Sequence, residues 1–154
     1  MKDISEVSDI LSLRRGDTIS SSQRYKLFTG NRIGNTPQKG INWLGTPPNY
    51  ELVMARSTST FAYGDRWIDN NERLYLYYLM IENRGTEDAR INYGSKENLA
   101  ILNQRSHLAP ILLMTNSTKQ RDLIDIQGRF EVITLCQDNP IHPGVDSVLM
   151  KRIQ

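Results

Sequence analysis

Short apolar runs rich in β-branched and aromatic residues, each cut off by turn-forming residues, most restrict what this chain can become. ELVMAR (51–56), RLYLYYLMI (73–81), PILLMT (110–115), DLIDI (122–126) and RFEVITL (129–135) have the length and composition of strands. A further strand is expected over 89–93. Asp69, Asn70 and Asn71 supply a turn ahead of the second run, and Gly128 is expected to turn the last two. Residues 96–105, with Leu99, Ile101 and Leu102 among good helix formers, predict the one clear helix of the body. Ile4, Val7, Ile10, Leu11 and Leu13 approximate helical spacing until Gly16, so residues 1–13 read as a helical N-terminal appendage. The Gly, Pro and Asn of residues 30–49, including Pro37, Gly40, Gly45, Pro47 and Pro48, predict a long ordered loop. Many short strands and one helix predict a mainly β (α+β) fold, a curved sheet or partly closed β-barrel with long loops. With no repeat or linker, and 154 residues, the whole of 1–154 reads as a single domain.

Composition narrows the function classes. Hydrophobic residues at 38% and charged residues at 23% argue against disorder, and no stretch approaches the ~20 apolar residues of a membrane span. The acidic start MKDISEVSD lacks the pattern of a secretory signal, and the lone Cys136 cannot form an internal disulfide, so a cytoplasmic protein is expected. His107 and His142 lack metal-ligand spacing to Cys136, and no phosphate-loop, dinucleotide or nucleophile-elbow motif occurs; no metal and no cofactor are expected. Asp65, Asp69, Glu72, Glu82, Glu87 and Asp88 form no acid-x-lysine arrangement with Lys96 or Lys119, which leaves the chain without a catalytic residue of its own. The net charge is +2, from 19 basic and 17 acidic residues. Any affinity for nucleic acid must therefore come from distribution: Arg14 with Arg15, Lys119 with Arg121, and Arg84 with Arg90 are the groupings that would line a phosphate track.

The densest constellation is FAYGDRWIDNNERLYLYYL, which sets Tyr63, Trp67, Tyr75, Tyr77 and Tyr78 near Asp65 and Asp69. In a strand Tyr75 and Tyr77 share a face and Tyr78 points to the other. One reading is core aromatics with an Asp capping a turn. The other is a pocket for a planar base, which needs two rings and a fixed acceptor for an exocyclic amine. Tyr63, Asp65 and one of the later tyrosines would supply these.

The order of features resembles the SRA (SET and RING-associated) family, including SRA-like domains of bacterial modification-dependent restriction endonucleases. Gly16-Asp17, Gly30 and Gly40-Ile41 are similar to its GD start, loop glycine and GI element. LVMARSTSTFAYGDRW resembles the segment ending in its tyrosine-x-aspartate motif. Tyr78 lies at the tyrosine of its YTG element, Thr86-Glu87-Asp88 at its GD pair, SKENLAIL at its asparagine-containing helix start with Asn98 matching, and PILLMT with IQGRFEV at its closing strands.

The resemblance implies a crescent-shaped β-barrel that flips a modified cytosine out of duplex DNA. It implies Tyr63 and Tyr78 as stacking rings, with Tyr77 the alternative to Tyr78 under a one-residue register shift. Asp65 would accept from the base amine and Trp67 would close the pocket. Arg66, Arg84, Arg90, Asn98, Lys119 and Arg121 are the candidate DNA contacts. The partner is double-stranded DNA carrying a modified base in a restriction or defence setting, with a nuclease domain fused or associated. Leu79 and Met80 stand where the family has Thr and Gly, so the pocket rim is expected to differ. A metal-dependent nuclease acting alone, and a β domain that binds protein without DNA, are the alternative readings.

Overall fold

The structure, a computed structural model, describes residues 1–31, 40–57, 64–83, 86–137 and 144–154. It is mainly β. One sheet runs in the order β2 (Ile41–Thr46), β3 (Asn49–Ser57), β8 (Ile111–Asn116), β9 (Leu123–Cys136), β10 (Ser147–Arg152), β5 (Leu74–Tyr78), β4 (Arg66–Trp67), and β1 (Thr18–Ser20) adds to β9. Among the described residues β3 and β8 form the one parallel pair of this sheet; its other ladders are antiparallel. A separate hairpin joins β6 (Ile81–Glu82) to β7 (Arg90–Ile91). The helices are α1 (Val7–Leu11), α2 (Ser21–Asn31), α3 (Lys96–Leu102) and α4 (Gln104–His107).

Strand alternation divides the apolar residues between the two faces. One face, with Ile41, Val53, Ala55, Tyr75, Tyr77, Leu113, Phe130 and Val148, packs under α3. The other, with Leu52, Met54, Leu112, Met114, Ile124 and Ile126, is covered by Ile4, Ile10 and Leu13 from the N-terminal segment and by Leu27 and Phe28 of α2. Each such large apolar side chain stabilises the fold by about 1.5–3 kcal/mol when fully buried. The N-terminal segment is thus packed on the body, although its helix is limited to Val7–Leu11.

Several sequence expectations are corrected. The sheet does not close: β2 and β4 are its two ends in the ladder. Among the described residues the longest helix is α2, not α3, and it has little apolar periodicity because Arg24, Leu27 and Phe28 are the ones described there that reach the interior. Residues 41–46 are a strand, not loop, since Ile41, Trp43 and Leu44 pair with β3 and are buried. Pro47 and Pro48 mark the turn of that hairpin. Gly128 does not turn two strands: β9 is continuous, and the register passes from Leu113↔Gly128 to Met114↔Ile126, leaving Gln127 as an extra residue. Gly128 has φ +113, and a Cβ there would lie 2.8 Å from the Gln154 carbonyl oxygen. No helix among the described residues is long and apolar enough to cross a membrane.

Candidate functional site

Although no backbone ladder closes the sheet, its curvature brings the end of β3 across to β5. The hydroxyl of Ser57, last residue of β3, lies 2.5 Å from the Tyr75 phenol of β5. The same hydroxyl donates to Asp65 Oδ2 at 2.7 Å. A serine hydroxyl has one proton, so Tyr75 must donate to Ser57, giving a directed relay from Tyr75 through Ser57 to the carboxylate. Burial pushes the Tyr75 phenol up to about 12; the Ser57 hydrogen bond works against this, and the Asp65 charge adds to it. Tyr75 therefore keeps its proton, and its donor role, throughout the neutral range.

Asp65 sits just ahead of β4, half-buried, and its Oδ1 accepts the Tyr78 amide at 2.9 Å. Each carboxylate oxygen thus accepts from a protein donor. The result is an acceptor fixed in orientation. Tyr78 is half-buried beside it, its ring edge 4.0 Å from where a side chain on Gly64 would begin.

The other candidate residues are distributed unevenly. Tyr77 is 3% exposed and belongs to the core, with its phenol 3.5 Å from the Gly40 carbonyl oxygen. Trp67 stands edge-on to Tyr75 at 5.0 Å and lies 5.9 Å from Phe130. It therefore packs against the core side of the wall. Arg66 is exposed at the seam and donates to the Gly64 carbonyl. Lys119 and Arg121 are exposed in the turn after β8, at the end of the β3–β8 pair where Ser57 aligns with Thr115. Arg90 is exposed on β7, 3.8 Å from Glu82. Tyr63, Arg84 and His142 lie outside the described residues.

Asn98 is 0% exposed and sits beneath the surface instead of on it. Its amide oxygen accepts from the Met80 amide at 2.8 Å, and its amide nitrogen donates to the carbonyls of Met80 and Asn92 at 3.0 and 2.9 Å. It clamps the chain just beyond Tyr78. Leu79, the other departure at the rim, is a core residue and donates its amide to the Asp146 carbonyl at 3.1 Å. The rim is therefore apolar and anchored at both residues.

Ser57 and Tyr75 are the site residues that sequence reasoning did not assign. Ser57 carries no motif, and Tyr75 reads as one more strand aromatic. Asp146 is 5% exposed, its carboxylate has no hydrogen-bond partner among the described residues, and burial raises its pKa.

This arrangement of strands is the SRA fold. One solved structure that shares it is the SRA domain of SUVH5 with fully methylated CG DNA, at TM-score 0.59 and 19% identity over 82% of this chain and 81% of that one. Another is KRYPTONITE in complex with mCHG DNA and SAH, at TM-score 0.65 and 14% identity, matched over 92% of this chain. A third is the DNA modification-dependent restriction endonuclease AspBHI, at TM-score 0.62 and 14% identity over 92% of this chain. The chain spans about a third of KRYPTONITE (32%) and 42% of AspBHI. No family model and no curated protein sequence matches the chain.

Proposed function

We propose that this domain reads a modified base in duplex DNA, cytosine carrying a modification first among them, by taking it out of the stack into the seam between β3, β4 and β5. The observation that carries this reading is Asp65, a carboxylate oriented at the seam by the Ser57 hydroxyl and the Tyr78 amide. An exocyclic amine on an extruded base is the complementary donor. Tyr78 flanks that acceptor, and Tyr63, two residues before Asp65, is the second ring. A stacked base gains roughly 1–3 kcal/mol per aromatic partner, enough to offset much of the unstacking cost. Arg66, Lys119 and Arg121 would supply phosphate contacts, which add affinity but cannot tell one base from another. The structures of SUVH5 and KRYPTONITE with methylated DNA support a DNA-reading role. That AspBHI is a modification-dependent restriction endonuclease supports a setting in which cutting belongs to a separate nuclease domain.

Replacing Asp65 by Ala tests the assignment. The ratio of affinities for a modified and an unmodified duplex is expected to fall toward one, with phosphate-driven binding retained. An unchanged ratio would remove Asp65 from the reading role.

A further inference from the structure

Arg14 and Arg15 have no part in the seam. They follow α1 and, with Arg129 of β9, line a cleft of about 540 Å³. Its position in the fold is fixed by two contacts. Arg129 neighbours Phe130, which faces the α3-covered core, so Arg129 points to the opposite face, where its guanidinium donates to the Leu11 carbonyl at 2.5 Å. Arg15 reaches Glu72 at 3.2 Å, in the turn that leads into β5, and Arg152 donates to the Glu72 carbonyl. The cleft thus lies toward the Leu74 end of β5, roughly 13 Å along the strand from Tyr78.

Charge is concentrated there. The guanidinium of Arg14 is exposed and has no partner among the described residues, and Arg129 uses one of its five donors on Leu11. Asp17 accepts the Arg14 amide, and its charge is offset by Lys2 at 3.5 Å. Arg14, Arg15 and Arg129 therefore bring three guanidiniums to the cleft, of which Arg15 is paired with Glu72. Guanidinium forks match the geometry of phosphate oxygens, and anchoring Arg129 and Arg15 to other elements lowers the ordering cost of using them.

We propose that this cleft is a phosphate-binding site, separate from the Asp65 seam and indifferent to base modification. The phosphate belongs either to a nucleic-acid backbone or to a small phosphorylated ligand. The test follows arginine side-chain Nε–Hε signals by NMR in the full chain, titrated separately with sodium pyrophosphate and with a short unmodified duplex. Saturable shifts at Arg14 and Arg129 are expected, weakening with salt and weaker by roughly tenfold in Arg14→Gln. Partial recovery is expected in Arg14→Lys, and no change in Asp65→Ala. Shifts with the duplex assign backbone phosphates; shifts with pyrophosphate alone assign a small ligand. No shift with either probe overturns the proposal, as do shifts of equal affinity in Arg14→Gln or a preference for a polyglutamate peptide over both. Because neither probe carries a modified base and the readout is at Arg14 and Arg129, failure of the base-reading proposal would leave these results standing.

Discussion

Asp65 and Asp146 flank the same dipeptide, Tyr78–Leu79, from opposite edges of β5, and differ in what surrounds each carboxylate. Asp65 accepts from the Ser57 hydroxyl and the Tyr78 amide, whereas the Asp146 side chain has no donor among the described residues, and burial favours its neutral form. The sign of the effect on stability follows from proton counting. Above the ordinary value of 3.8 the unfolded chain loses the Asp146 proton before the folded chain does, so stability falls as pH rises through that window. At neutral pH the cost is fully present. Asp146→Asn is therefore expected to raise the urea midpoint at pH 7, with the gain fading as pH drops below about 4. An equal gain at both pH values would contradict this account. Asp65 was legible in sequence because it sits in a tyrosine-x-aspartate motif. Asp146 was not, because nothing local distinguishes a buried aspartate from one that caps a turn.

At the scale of elements, β5 decides which tyrosine is available to a ligand. Alternation puts Tyr77 and Tyr78 on opposite faces but does not say which face is buried. The pairing with β10 does, since Val148 aligns with Tyr77 and both lie in the core, while Ser147 aligns with Tyr78. Tyr77→Ala is expected to cost about 3 kcal/mol or more in chemical denaturation. Tyr78→Ala should cost far less stability, yet weaken binding of a modified duplex roughly 5- to 150-fold, the equivalent of one lost stacking partner. The reverse pattern would mean that the reading register is wrong. The strands themselves were readable from their apolar runs. What escaped was structure set by distant contacts: α2 has little apolar stripe because one sheet face covers only a few of its residues. β2 hides in a Gly- and Pro-rich stretch because its prolines fall at a hairpin turn, and Gly128 reads as a turn although it accompanies a bulge in a continuous strand.

For the molecule as a whole, the candidate site exists only because the sheet curls. Ser57 and Tyr75 are 18 residues apart in sequence, and β8, β9 and β10 separate their strands in the ladder, so no linear pattern announces their contact. The fold also separates two kinds of recognition along β5: an oriented acceptor at the Tyr78 end, and arginines gathered toward the Leu74 end. A phosphate grip weakens with salt for every sequence alike, whereas hydrogen bonding and stacking to a base do not depend on counterion release. The most direct test measures the affinity of the full chain for two otherwise identical duplexes, one carrying a single central 5-methylcytosine, across a series of salt concentrations. The account predicts tighter binding of the modified duplex at every salt concentration, by a ratio that stays nearly constant while both affinities fall. Equal affinities for the two duplexes throughout the series would contradict it.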